Sequence, residues 1–113
     1  MGEGSKYVAL YSKPLAKLLG CSPYLGTLNV SIDHRYAEAL RKELEKPIVI
    51  DPPRPGLGRV YALKCSVMGI PCLAVFPEKS VYGLRAIEIV SCVRLRTALA
   101  LEDGDCVCIE IER

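Results

Sequence analysis

The stretch Gly26-Thr27-Leu28-Asn29-Val30 decides how the fold and the chemistry of this sequence are interpreted. Because side chains alternate between the two faces of a strand, Thr27 and Asn29 are predicted on one face and the aliphatic residues on the other. The apolar face is expected to pack on a core. The opposite face offers two neutral oxygen ligands, a set that suits a hard cation which keeps its charge for phosphate groups. An ordinary edge strand with a polar outer face shows the same alternation, so this stretch alone leaves both interpretations open.

The composition around this strand is that of one domain spanning residues 1–113. Half of the 113 residues are hydrophobic, which is enough to form a core without a metal or disulfide staple. The sequence contains one Phe and no Trp, so Val, Ile, Leu and Ala are expected to fill that core.

Charge and hydropathy argue against two classes of partner. The formal net charge is +2 and the basic residues form no stripe, so we expect no binding to nucleic acid. No apolar run approaches the ~20 residues that a membrane-spanning helix needs, so we expect no membrane association. The sequence shows no secretory signal peptide, and the protein is predicted to be a cytoplasmic monomer.

The cysteines lack the paired C-x-x-C spacing of a zinc site; they are Cys21, Cys65, Cys72, Cys92, Cys106 and Cys108. Cys106 and Cys108 share one face of the last predicted strand, and they could bind a metal together with His34. Free cysteines that pack as small apolar residues are the commoner arrangement.

Helices and strands are mixed in the first half of the chain. A helix is predicted between Ser12, a favourable N-cap, and Gly20, which commonly ends helices. A second helix is predicted to begin after the cap Asp33 and to end before Pro47. Strands are predicted at residues 7–11, 27–32 and 48–50, followed by an irregular Pro- and Gly-rich loop at residues 51–58.

The second half is predicted to be mostly β. Two apolar runs at residues 59–67 and 70–76 are separated by Met68-Gly69, which predicts a hairpin. A strand at residues 86–92, a short helix at residues 93–100 and a final strand after the turn Asp103-Gly104 complete the prediction. Many short strands with two or three brief helices favour a mainly β fold, a small β-barrel with helices at its ends.

Several weak signals could carry chemistry. The sequence has no P-loop, no protein-kinase catalytic loop and no G-x-S-x-G elbow. Gly2-Glu3-Gly4, predicted to be a loop before the first strand, could form an anion nest or be a plain flexible terminus. Arg94 and Arg96 lie at a predicted helix start, where they could either bind phosphate or form a solvated helix face. Glu88 within an aliphatic strand either lines a pocket or faces solvent.

The order of these signals along the chain resembles the archaeal CTP-dependent riboflavin kinases. The resemblance covers nearly the whole chain and is weakest over residues 33–58. The segments that carry it are Gly2-Glu3-Gly4, Pro23-Tyr24-Leu25-Gly26-Thr27-Leu28-Asn29-Val30, Pro77-Glu78-Lys79-Ser80, Ile87-Glu88-Ile89-Val90, Val93-Arg94-Leu95-Arg96 and Leu101-Glu102-Asp103-Gly104-Asp105.

The resemblance implies a small cradle-loop (RIFT-like) β-barrel that transfers the γ-phosphoryl group of CTP to the 5′-hydroxyl of riboflavin. The products are FMN and CDP, and Mg²⁺ is the expected cofactor. The implied ligands are Thr27 and Asn29 for Mg²⁺, Ser80 and Glu88 for the flavin, and Gly2, Glu3, Gly4, Ser5, Val93, Arg94, Leu95 and Arg96 for the nucleotide. The resemblance identifies no catalytic base.

The chain departs from the family pattern in ways that keep alternatives open. The family has a strand and a further glycine before the position of Gly2, and this strand is expected to be absent. Ser80 stands where the family commonly has Thr, and Ser91-Cys92 stands in place of Ala-Pro. A flavin- or nucleotide-binding barrel without turnover is therefore the alternative. A DNA-binding regulator, suggested by fold-level analogy, is disfavoured by the low net charge.

Overall fold

One antiparallel sheet organises the computed structural model, which describes residues 3–78 and 84–112, with the backbone alone for residues 3–5. The six strands in these ranges are β1 (Leu28–Ser31), β2 (Ile48–Ile50), β3 (Val60–Val67), β4 (Ile70–Pro77), β5 (Ala86–Ser91) and β6 (Ile109–Ile111). The four helices in the same ranges are α1 (Glu3–Leu10), α2 (Ser12–Leu19), α3 (His34–Glu43) and α4 (Leu95–Ala98).

Strand β3 is the centre of the sheet, because it pairs with three other strands. Along one edge it pairs with β4 over its whole length; along the other it pairs with β2 at residues 60–62 and with β6 at residues 65–67. The order continues from β3 through β4 and β5 to β1. The sheet curls into a half-barrel. The predicted mainly β class and small β-barrel architecture are therefore confirmed, with four helices in the described ranges where two or three were predicted.

The hairpin between β3 and β4 turns at Met68 and Gly69, as the sequence predicted. Both residues have positive φ, 52° at Met68 and 84° at Gly69. A two-residue turn of this hand matches the right-handed twist of the flanking strands, which is why such turns connect tight hairpins. The turn fixes the register of the two longest strands, with Val67 opposite Ile70.

The sheet separates two hydrophobic cores, and the period-2 alternation of β3 and β4 supplies both. On one face, which we call the α3 face, Leu63 and Cys65 pack with Leu40 of α3. On the other, the α1–α2 face, Val60 and Ala62 pack with residues of the first two helices. A strand that is buried on both faces has an almost uninterrupted apolar sequence, which explains why β3 and β4 are apolar along most of their length.

The strand predicted at residues 7–11 is wrong, because residues 7–10 belong to α1 and Tyr11 is the N-cap of α2. Val8, Tyr11 and Leu15 are buried together on the α1–α2 face. Their spacing of three and four residues is helical, whereas a strand would bury every second residue and Ala9 is exposed. The predicted glycine loop before a strand is wrong for the same reason, since the helix already begins at Glu3.

The other boundaries follow the predicted signals closely. Gly20 ends α2 with φ 78°, but Tyr11 rather than Ser12 occupies the N-cap position and makes no side-chain capping bond. Asp33 caps α3 by accepting a 3.0 Å hydrogen bond from the Arg35 N–H. Residues 51–58 are irregular as predicted. The predicted helix at residues 93–100 and the last strand are both shorter, as α4 and β6.

Candidate functional site

The pairing of β1 with β5 brings together residues that are about sixty positions apart in the sequence. Leu28 lies opposite Ile89, and Asn29 lies opposite Glu88. Leu28 and Val30 pack against the core of the α3 face, and Asn29 is exposed. The predicted alternation of this strand is therefore confirmed, and its polar side lies next to the acidic side chain of β5.

Three oxygen-bearing side chains meet at this place. Thr27 Oγ1 donates a 3.3 Å hydrogen bond to Glu88 Oε1, and Asn29 is the cross-strand neighbour of Glu88. A hydroxyl that donates its proton still has lone pairs for a cation, and an amide oxygen accepts as well. Hydroxyl, amide and carboxylate oxygens are the ligands that Mg²⁺ prefers, so the residues present fit this ion.

The cysteine- and histidine-based metal site is not found. Within the part of the chain that the structure describes, no group of three or more His, Cys, Asp or Glu side chains could hold a metal ion. Cys65 and Cys72 are free and buried, as expected of small apolar residues, and Cys106 and Cys108 are free and exposed.

Two links hold the loop before β1 against the end of β5. Cys21 and Cys92 form a disulfide bond with their Cα atoms 6.1 Å apart. The Tyr24 N–H donates a 2.8 Å hydrogen bond to the carbonyl oxygen of Ser91. Both links join the segment that leads into Thr27 to the segment that leads into Val93.

The predicted nucleotide segment follows β5 directly, at the end of the β1–β5 pair that lies next to Thr27. Arg94 donates a 3.0 Å hydrogen bond from Nη1 to Thr97 Oγ1, and Arg96 Nη1 lies 2.9 Å from Asp103 Oδ1. Val93 is exposed, whereas Leu95 is buried in the core of the α3 face. A contact from Leu95 to a nucleotide would therefore come from its backbone, and the nucleotide role of all four residues stays a prediction.

The remaining predicted ligands lie in the N-terminal segment and at Ser80. Gly2 and Ser80 lie outside the described residues. Glu3, Gly4 and Ser5 belong to the first turns of α1. Their roles toward nucleotide and flavin also stay predictions.

Tyr7 is a residue of this region that sequence reasoning missed, because the segment was predicted as a strand. It lies on α1 and packs against the core of the α1–α2 face. Its hydroxyl is buried without a hydrogen-bond partner in the described chain. Burial, then the negative charge of Glu88 and then Tyr11 raise the pKa of the Tyr7 phenol well above its ordinary value. The helical spacing of Val8, Tyr11 and Leu15 was the signal that could have placed it.

Among residues 3–78 and 84–112, no helix combines the length and the apolar character that crossing a bilayer requires.

Comparison with known proteins gives one consistent result. The family model CTP-dep_RFKase, described as Domain of unknown function DUF120, matches residues 1–111. The chain is 40% identical over 107 residues to a riboflavin kinase of Staphylothermus marinus, and the alignment covers 95% of this chain and 81% of the relative.

Other relatives are longer. The chain is 38% identical over 117 residues to a riboflavin kinase of Pyrobaculum aerophilum, with 98% of this chain and 56% of the relative covered. It is 37% identical over 117 residues to a riboflavin kinase of Archaeoglobus fulgidus, with 98% and 50% covered. The chain thus spans about half the length of these two proteins. The match over residues 1–111 and these identities show that the chain belongs to the archaeal CTP-dependent riboflavin kinase family.

Proposed function

We propose that this protein phosphorylates riboflavin, with CTP as the phosphoryl donor and Mg²⁺ as the cofactor. The 5′-hydroxyl oxygen of riboflavin forms a bond to the γ-phosphorus, the bond from that phosphorus to the β–γ bridging oxygen breaks, and the hydroxyl proton is released. FMN and CDP are the products. The observation that carries the proposal is the cluster of Thr27, Asn29 and Glu88 where β1 pairs with β5, in a chain whose relatives are named riboflavin kinases.

Thr27 and Asn29 are the proposed ligands of Mg²⁺. When bound, the ion neutralises charge on the phosphate oxygens and keeps several waters. Both ligands are neutral, so they would not reduce the positive charge available to the phosphates. Asn29 lies on the paired strand β1 and Thr27 directly precedes it, and this placement supports the role because phosphoryl transfer depends on positioning more than on covalent chemistry by the protein.

Glu88 and the arginines have complementary proposed roles. Glu88 is half-buried and accepts hydrogen bonds, which suits a donor group on the flavin. Arg94 and Arg96 follow β5 and would balance the charge of the nucleotide phosphates. Arg96 already pairs with Asp103, so it would bind phosphate by sharing its remaining N–H donors.

An assay of FMN formation tests the function. The purified protein is mixed with riboflavin, Mg²⁺ and either CTP or ATP, and FMN is separated from riboflavin. We expect FMN with CTP and none after chelation of Mg²⁺. Formation of FMN with ATP but not with CTP would contradict the proposed donor. Tight binding of riboflavin, with no FMN formed from either nucleotide, would favour the non-catalytic module.

The metal ligands are tested by the double substitution Thr27→Ala/Asn29→Ala. It removes both neutral oxygens, and we expect FMN formation to fall by about 100-fold or more. Ser31→Ala is the matched control, because Ser31 is an exposed hydroxyl residue of β1 opposite Ala86. Full activity in the double variant, with an unchanged circular dichroism spectrum, would show that the metal is bound elsewhere.

A further inference from the structure

The hydroxyl of Tyr7, which packs against the core of the α1–α2 face, is buried. Its oxygen is enclosed, and no hydrogen-bond partner for it is present within residues 3–78 and 84–112. Native proteins satisfy nearly all of their buried polar atoms, so an orphaned hydroxyl calls for a physical reason. A ligand that supplies the missing partner is such a reason.

The ring of Tyr7 is held in place by its neighbours. Its centroid lies 5.0 Å from the centroid of Tyr11, one helical turn away. The Tyr11 hydroxyl in turn donates a 2.7 Å hydrogen bond to the carbonyl oxygen of Gly58. The two tyrosines therefore form a natural pair for comparison: the Tyr11 hydroxyl has a structural partner, and the Tyr7 hydroxyl has none among the described residues.

The Tyr7 hydroxyl lies on the same side of the sheet as Glu88. Tyr7 packs against a core that includes Val90, and Val90 shares a face of β5 with Glu88. Burial raises the pKa of the Tyr7 phenol, and the negative charge of Glu88 raises it further. The phenol therefore stays protonated at neutral pH and is a hydrogen-bond donor.

The hydroxyl of Tyr7 and the carboxylate of Glu88 determine which kind of chemical group can bind between them. Tyr7 can donate a hydrogen bond, whereas the carboxylate of Glu88 only accepts hydrogen bonds. A neutral alcohol group both accepts and donates, so it can satisfy both side chains at once.

We propose that Tyr7 and Glu88 bind one alcohol hydroxyl of the ribityl chain: Tyr7 donates a hydrogen bond to the oxygen of that hydroxyl, and Glu88 accepts a hydrogen bond from it. This inference rests on the proposed function and makes Tyr7 a substrate-contact residue. It assigns the sugar-alcohol part of the flavin, rather than its ring, to the α1–α2 face beside β5.

Fluorescence titration with two flavins tests the inference in the presence of Mg²⁺ and CDP. Riboflavin carries the ribityl chain, and lumiflavin has the same ring system without it. In Tyr7→Phe we expect riboflavin affinity to fall about three- to tenfold, the effect of one neutral hydrogen bond, and lumiflavin affinity to be unchanged. Tyr11→Phe is the matched control and should leave the ratio of the two affinities as in the wild type.

Thermal unfolding without ligands gives a second readout. Tyr7→Phe removes an unsatisfied hydroxyl, so its midpoint should be equal to or higher than that of the wild type. Tyr11→Phe deprives the Gly58 carbonyl of its donor, so its midpoint should be lower by a few degrees. A lower midpoint for Tyr7→Phe would reveal a structural partner and overturn the inference.

The failures of the two proposals are distinguishable. A wild-type protein that binds no riboflavin would overturn both. Wild-type binding with an unchanged Tyr7→Phe, or with equal losses for riboflavin and lumiflavin, would overturn only the role of Tyr7. The losses from Tyr7→Phe and Glu88→Gln should also be less than additive, because both side chains bind the same hydroxyl, and strict additivity would contradict the shared contact.

Discussion

At the scale of single residues, Asp33 shows how one side chain acts on a helix and responds to pH. It accepts the Arg35 N–H, and Arg35 Nη2 lies 3.1 Å from its second oxygen. The backbone and side-chain hydrogen bonds from Arg35, with a smaller contribution from His34, lower the pKa of Asp33 below its ordinary value of 3.8. A carboxylate at a helix N-terminus also interacts favourably with the helix dipole.

We expect the stabilisation from Asp33 to be lost in acid. Because its pKa is lower in the folded state, the stabilisation is complete above the ordinary pKa and disappears as pH falls through the folded pKa. Asp33→Asn keeps a capping oxygen but does not titrate. The thermal midpoint of the wild type should therefore exceed that of Asp33→Asn at pH 6, and the difference should shrink toward pH 2. A difference independent of pH would show that the charge of Asp33 contributes nothing.

At the scale of elements, the β3–β4 hairpin depends on backbone conformation at its turn. Gly69 has φ 84°, which is unfavourable for any residue with a Cβ, although a Cβ there would meet no atom within 4 Å. Gly69→Ala should therefore lower the free energy of unfolding by about 1 kcal/mol through backbone strain alone. Urea denaturation measures this loss.

Gly58→Ala is the control for that substitution. A Cβ at Gly58 also meets no atom within 4 Å, and φ there lies outside the positive range. The alanine restricts the unfolded chain, so the change should be neutral or slightly stabilising. Equal losses at both positions would mean that positive φ is not the cause.

The same hairpin shows which elements local sequence can specify. Met68-Gly69 between two apolar runs predicted it, because turn chemistry and strand pattern agree there. The segment of Tyr7 was misread, since Tyr7, Ala9 and Tyr11 alternate as in a strand. The segment is nevertheless helical, because Val8 and Tyr11 are the residues that are buried against the sheet, and their spacing is that of a helix. A short segment can fit both the helical and the strand periodicity, and its sequence alone does not show which of the two faces will pack against the rest of the protein.

At the scale of the whole molecule, the candidate site depends on pairings between distant segments. The polar face of Thr27 and Asn29 was predictable from alternation. Its contact with Glu88 depends on the pairing of β1 with β5, which local patterns do not encode. The link from Cys21 to Cys92 was missed for the same reason, because 71 positions separate the two cysteines and neither has a motif.

This disulfide should contribute strongly to stability. Closing a loop of 71 residues removes conformational entropy from the unfolded chain, worth about 4 kcal/mol in the chain-entropy description. We expect Cys21→Ser/Cys92→Ser to lower the free energy of unfolding by about 2–4 kcal/mol. Urea denaturation with and without a thiol reductant measures the loss, and the reductant should destabilise the wild type but not the double variant.

The exposed free cysteines supply the control that isolates the link. Cys106→Ser/Cys108→Ser removes two thiols without breaking a bond between segments, so its stability should match that of the wild type and stay sensitive to reductant. Because Cys92 directly precedes Val93 and Cys21 precedes the turn into Thr27, the lost stability should be accompanied by faster amide exchange at both places. A wild type whose stability and amide exchange do not respond to reductant would show that the two segments are held by their hydrogen bonds and packing alone.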